Sequence, residues 1–249
     1  MIVRHRLALA ALAPLALALA ACGNGENAGE APTGELIAPI AAPAGQSWVE
    51  TAATTPEGGV VVGNPQAPIR LVEYASHTCP ACATFSSEAG DPLDRYVQSG
   101  VVSFEIRNQV HNALDLTLAM LVRCGSAESF HPLASQAWGN LDQILATAQT
   151  NGAALDQATE IQGPRRYQAI AETAGLLDFF AARGISRDQA LQCLADPAAA
   201  DRIATNSATQ SDELGVTGTP TFFLNGTRID AQGWEDVEAA LQRAGARPT

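Results

Sequence analysis

The stretch "YASHTCPACATF", Tyr74 to Phe85, carries two cysteines three positions apart, Cys79 and Cys82, directly after a strand-like run. Such a pair serves as a zinc clip, as a short staple, or as a couple that alternates between dithiol and disulfide. Zinc asks for four ligands. Neither a second C-x-x-C nor a pair of histidines exists, since His77, His111 and His131 stand singly. A permanent Cys79–Cys82 bond closes almost no loop and so restrains little. Redox chemistry is the leading reading.

Pro80 strengthens it, because proline suits the first helical position and makes Cys79 the expected N-cap, with Cys82 at the third helical position on the same side. Free N–H groups and the positive end of the helix dipole stabilise a thiolate there. Cys79 is thus the expected attacking sulfur, and Cys82 the partner that resolves a mixed disulfide or closes the pair. Each pKa unit of thiolate stabilisation, about 1.4 kcal/mol, is worth roughly 30 mV of potential.

The elements that must hold this pair are legible around it. Val60 to Val62 and Ile69 to Tyr74 read as strands separated by the turn signal "GNPQAP", and "GVVSFEIRNQV" alternates as a third. A helix from the cysteines to Gly100 links the last two, an order that favours a parallel pair. From 111 to 206 the pattern is helical. Asn112 caps a helix with Asp115 at its third position and Leu114, Leu118, Leu121 and Val122 as its apolar stripe; helical runs follow at 133–148, 165–182 and 186–194. Strand character returns in "TPTFFLNGTRID" around an Asn225-Gly226 hairpin turn, before a final amphipathic helix from Trp234. The expected class is α/β: a sheet domain in two parts, 58–110 and 207–249, split by a helical insertion at 111–206. Glu73 shares a strand face with Ile69 and Leu71, which makes it either a buried carboxyl able to take the Cys82 proton or a partly solvated acid at a strand end.

The N-terminus speaks to compartment. "MIVRHR" is a basic start, Leu7 to Ala21 an Ala/Leu run broken by Pro14, and "LAAC" ends it at Cys22. The run is too short to span a bilayer. Residues 1–21 read as a signal peptide and Cys22 as a lipidated cysteine of a bacterial lipoprotein, the alternative being plain secretion after "ALA" at 18–20. Either route exports the chain to the cell envelope. Residues 22–57, rich in Ala, Pro and Gly, read as a tether reaching on the order of 30 to 35 Å, with Trp48 and Val49 packing back on the domain. A net charge of −12 argues against nucleic acid, and the absence of any lysine rules out lysine-based catalysis. Five cysteines is an odd number. Lipidation of Cys22 leaves an even set, in which Cys124 and Cys193 are expected to form a structural disulfide, the alternative being two separate buried thiols.

"VEYASHTCPACATF", "GVTGTPTFFLNG" and the helical insertion between them closely resemble the DsbA-like thiol:disulfide oxidoreductases of the thioredoxin superfamily over about Trp48 to Gly245. The resemblance implies a thioredoxin fold interrupted by a helical insertion, with Cys79 as nucleophile and Cys82 as resolving thiol. It also implies a cis Pro220 facing the cysteines, with Thr219 before it offering its backbone to an extended substrate. Thr219, Pro220, His77, Pro80 and Ala81 form the expected substrate-binding surface. No metal or cofactor is implied beyond the Cys79–Cys82 disulfide itself. The implied partners are unfolded or partly folded exported proteins and a membrane redox partner, either a quinone-linked oxidant or a thiol donor, for a lipid-anchored monomer.

One departure stands out. Strongly oxidising members carry His where this chain has Ala81, which neither donates a hydrogen bond nor adds positive charge, so a less oxidising pair is expected. His77 either compensates or is merely solvated. The leading function is disulfide formation in exported proteins; the alternatives are a reductase or isomerase, and a peptide-binding lipoprotein or assembly chaperone using the same groove.

Overall fold

The computed structural model describes residues 34–249. The expected signal peptide and the expected lipidation site, Cys22, lie outside the described residues. Among the described residues, six strands form one sheet: β1 (Ala52–Thr54), β2 (Val60–Gly63), β3 (Ile69–Ala75), β4 (Val102–Asn108), β5 (Thr221–Leu224) and β6 (Thr227–Ile229), in the spatial order β1-β2-β4-β3-β5-β6. β3 and β4 run parallel, Leu71 opposite Phe104 and Glu73 opposite Ile106, and every other pairing is antiparallel. β4 is buried along nearly its whole length, where the sequence suggests one buried face. Helices cover both sides of it, as parallel strands require.

The crossover between β3 and β4 is α1 (Pro80–Gln98). Its buried residues Cys82, Phe85, Ala89, Leu93 and Tyr96 recur every three or four positions and make a single stripe against the sheet. Phe85 sits 4.6 Å from the Phe222 ring and contacts Phe104 and Trp234, so one aromatic cluster joins α1, β4, β5 and α10 (Trp234–Arg243). The two separated sheet segments of the chain meet here. At the β5–β6 turn, Asn225 and Gly226 both adopt positive φ (51° and 82°), which is why these residue types stand there.

Eight helices make up the insertion, from α2 (Ala113–Val122) to α9 (Pro197–Leu214). The run expected at 133–148 is two helices, α3 (Ala127–Gly139) and α4 (Leu141–Thr150), because Asn140 leaves helical geometry. α5 (Gly152–Glu160) was not anticipated. The run at 165–182 divides into α6 (Arg165–Thr173) and α7 (Leu176–Ala181) at Gly175, whose φ of 70° ends one helix before the next begins. α8 (Arg187–Leu194) opens on Ser186, whose hydroxyl accepts from Gln189 N–H. The boundary placed at 206/207 falls inside α9, which continues to Leu214 before the left-handed Gly215 caps it.

Trp48 and Val49 pack on the domain as expected, but the tether reading fails for the rest of residues 34–57. Gly34 and Ile37 donate backbone bonds to Arg243 and Gly245, Ile40 donates to Ser99, and Trp48 is 7% exposed with its indole N–H on the Ile40 carbonyl. β1 then completes the sheet edge. A Pro- and Gly-rich composition suggested a flexible linker, but an extended backbone can still pair with its surroundings, and here it does.

Cys124, just after α2, and Cys193 in α8 form a disulfide with a Cα separation of 5.8 Å, spanning 69 positions of sequence. Closing a loop of that length restrains the unfolded chain by about 4 kcal/mol in the chain-entropy model. The double variant Cys124→Ser/Cys193→Ser is therefore expected to lose about 2 to 4 kcal/mol in urea denaturation. A midpoint within error of the parent would show that the bond contributes nothing.

Candidate active site

β3 delivers the chain to the loop Ser76–Thr78, and α1 starts at Pro80. Cys79 is extended (φ −91°, ψ 118°) and caps the helix with its sulfur, Sγ accepting from the Cys82 N–H at 3.4 Å. The opposite wall is the cis peptide Thr219–Pro220, whose Thr219 carbonyl lies 3.2 Å from Cys79 Sγ. Cys79 is partly exposed, Pro80 and Ala81 are exposed, Thr219 and Pro220 are half-buried, and Cys82 is fully buried. One thiol thus faces solvent and the other faces the core.

Their acidities diverge accordingly. The hydrogen bond from the Cys82 thiol, together with the Cys82 and Ala81 N–H groups, draws Cys79 down from 9.0 to about 5 against the opposing effect of burial. The Thr219 carbonyl can only accept, so it favours the protonated thiol. Burial, the bond it donates to Cys79 and the nearby Glu73 push the Cys82 thiol far above the ordinary range. Glu73 is 1% exposed and raised from 4.5 to about 8, first by burial and then by the charge on Cys79, with the Cys82 thiol pulling the other way. Among the described residues its Oε1 has no hydrogen-bond partner, and a cavity of about 250 Å³ adjoins Glu73. The buried reading of Glu73 therefore holds. A carboxyl that is neutral at pH 7 beside a buried thiol is placed to exchange a proton with it.

His77 requires correction. It is fully buried, stacked 5.1 Å from Trp138, with its backbone N–H on Asp115 and its ring Nε2 3.2 Å from the Asn108 side-chain nitrogen. Burial, and then the charge of Arg123, depress its pKa to about 3. A neutral imidazole sealed from water neither contacts substrate nor lends Cys79 a positive charge. The sequence showed only a histidine in a loop, whereas the insertion folds over that loop.

Asp115 is the residue that sequence reasoning underused. Read as a helix-start position, it is 1% exposed and accepts from Ser76 Oγ (2.7 Å), His77 N–H (2.8 Å) and His111 N–H (2.9 Å). Trp138 adds an indole N–H to the Ser76 carbonyl at 3.0 Å. Two residues of the insertion thus fix the loop that aims Cys79. The available signal was the pair Asn112 and Asp115, since Asn112 caps α2 on the Asp115 N–H and leaves its carboxylate free to turn toward the loop. Among the described residues, no three His, Cys, Asp or Glu side chains converge to hold a metal ion.

The family model described as Thioredoxin matches residues 55–243. The chain belongs to the thioredoxin family. A solved protein-disulfide isomerase from Novosphingobium aromaticivorans is similar at 30% identity and a TM-score of 0.70, over 74% of this chain and 96% of that one. Wolbachia pipientis alpha-DsbA1 shares the fold at 20% identity and a TM-score of 0.59, over 74% and 89% of the two chains. The DsbA-like thioredoxin fold read from the motifs is therefore the fold of this protein. A protein of Rickettsia typhi, named provisionally as a protein-disulfide oxidoreductase, is 25% identical over 186 residues, which are 74% of this chain and 61% of that one. The chain spans about three fifths of the length of the curated relatives it matches.

Two measurements test this site of the thioredoxin-family chain. Iodoacetamide alkylation of the reduced protein is expected to follow a Cys79 thiolate titrating near pH 5; a midpoint above pH 8 would contradict the assigned stabilisation. Glu73 keeps its proton in the folded state up to about 8, whereas the unfolded chain loses it near 4.5, so folding stability falls as pH rises through that window. Glu73→Gln is expected to flatten that dependence and to be more stable than the parent at pH 8, on the order of a few kcal/mol. Parallel stability profiles for parent and variant would refute it.

Proposed function

We propose that the protein is a thiol:disulfide oxidoreductase that forms disulfide bonds in exported proteins. The observation that carries this reading is the asymmetry of the pair: an accessible Cys79 with a pKa near 5 against a buried Cys82 whose thiolate is strongly disfavoured. In the oxidised enzyme, a client thiolate attacks Cys79 Sγ, the Cys79–Cys82 bond breaks, and Cys82 leaves as a thiolate that takes the Glu73 proton. A second client thiolate then attacks the client sulfur of the mixed disulfide and expels Cys79 as a thiolate. The client is oxidised by two electrons, and the pair holds them as the Cys79 thiolate and the Cys82 thiol. The low pKa of Cys79 makes it a good leaving group, which favours release of the oxidised client.

Thr219 faces Cys79 across the site, which supports the reading that the Thr219–Pro220 segment is the edge an extended client lies along, flanked by Pro80 and Ala81. Reoxidation belongs to a membrane partner, for which a quinone-linked oxidant is the leading class. The basic start, apolar run and Cys22 of the N-terminus support export and a lipid anchor on the envelope. Among the described residues, no helix is long and apolar enough to cross a membrane.

A reductase or isomerase is the second reading. It is favoured by Ala81, which gives the thiolate no histidine, and by the name of the Novosphingobium relative. Thiol trapping of Cys79 and Cys82 in cells separates the two: a mainly oxidised pair is expected, and a mainly reduced one would establish the reductase. The Ala81→His variant is expected to titrate at a potential higher by tens of mV, at roughly 30 mV per unit of thiolate pKa. A parent potential already near the roughly −120 mV of the strongest oxidants would overturn the assigned effect of Ala81. Full complementation by Cys79→Ala would replace both enzyme readings with a peptide-binding role.

A further inference from the structure

A second cavity, of about 690 Å³, lies between the β1–β2 connection, the end of β4, and helices α2, α8 and α9. It shares no lining residue with the Cys79 site. Three arginines border it, and they are not equivalent. Arg107 is neutralised: its Nε and Nη2 reach the Glu105 carboxylate at 2.7 and 3.1 Å, Nη1 donates to Tyr74, and Glu57 lies 3.6 Å away. Arg123 has no such partner. Its Nε donates to Asn108 Oδ1 at 2.9 Å and its guanidinium lies 4.9 Å from the Phe130 ring centroid. Its Nη1 and Nη2 groups make neither a hydrogen bond nor an ion pair among the described residues.

Burial lowers the pKa of Arg123 only to about 10, so it remains a cation at neutral pH in a chain of net charge −12. Glu105 is the acid whose charge reaches it, and that carboxylate is already bonded to Arg107. Glu105 and Glu57 face Arg107, and Asp196 caps α9 on the Ala198 and Ala199 N–H groups. Arg202 stands at the mouth, 68% exposed and 4.0 Å from Asp196. A partly desolvated guanidinium with four unpartnered N–H donors is geometrically matched to a carboxylate or phosphate, which it can grip through two parallel bonds. The volume is that of a small-molecule site rather than of a stray solvent pocket.

We propose that this cavity binds a small organic anion, whose carboxylate or phosphate head seats on Arg123, with Arg202 at the entrance. Met120 and Ile203 offer the body of the ligand apolar contact, while Asn206 and Gln210 supply side-chain amides. Occupancy has a built-in reporter. Asn108 accepts from Arg123 through Oδ1 and must therefore donate through Nδ2 to His77 Nε2, so its side-chain amide feels any change at Arg123.

The test is titration calorimetry of the full chain at low salt with N-acetyl-dialanine, its C-terminal amide, and inorganic phosphate. Binding of the free acid or of phosphate, weakened about tenfold or more in Arg123→Gln, supports the site, and the acid that binds tells carboxylate from phosphate. Binding of neither acid at millimolar concentration, equal binding of the amide, or an undiminished affinity in Arg123→Gln would overturn it. Should Arg123→Gln fail to fold, Arg202→Gln, at an exposed position, is expected to weaken binding several-fold. In that case the Asn108 side-chain amide resonance of the parent is expected to shift on titration, and an unmoved signal would equally refute the proposal.

Discussion

A sulfur standing where a hydroxyl or carboxylate usually caps a helix is the interaction on which the candidate site depends. α1 begins with N–H groups that have no partner within the helix, and Cys79 Sγ answers the one on Cys82. The same contact orders the pair. The sulfur that accepts is stabilised as an anion, whereas Cys82, carried one turn into the core by the helix, is held as a thiol. Glu73 reaches the same depth from β3, and burial keeps it protonated where an exposed carboxylate would be charged. Helix start, sheet face and core therefore make three different acids from groups a few residues apart.

That geometry is maintained from a distance. The loop before Cys79 is tied to Asp115 and Trp138, both contributed by the insertion, and the opposite wall arrives with the Thr219–Pro220 peptide some 140 positions downstream of Cys79. The insertion is accordingly part of the site. The Cys124–Cys193 bond ties the segment just after α2 to α8, and α2 is the helix whose first turn presents Asp115. Asn108 and Arg123 extend a hydrogen-bonded path from His77, in the loop before Cys79, to the second cavity.

Much of this was legible before any coordinates. Cys-Pro-x-Cys after a strand specified the cap and the helix, because proline at the first helical position and alternation before it are local constraints. The hairpin at Asn225-Gly226 was legible for the same reason: positive φ at two successive residues is a demand of local geometry. What escaped was whatever depends on which surfaces later cover one another. His77 looked like an ordinary loop residue until α2 and α3 closed over it. Residues 34–57 looked like a linker, because composition does not reveal that their backbone pairs with the C-terminal helix and the end of α1.

The sequence by itself determined the groups on offer: a sulfur at a helix start, a second sulfur one turn in, an acid on the neighbouring strand face and, through the family resemblance, a proline motif far downstream. The first three follow from spacing, since helices and strands set which side chains share a face. Only the tertiary structure decided the state of each group. Burial turned Glu73 into a neutral acid and His77 into a neutral packing residue, and left Arg123 charged beside an open cavity. The cost of desolvating a charge depends on everything packed around it, and no local stretch of sequence contains that information.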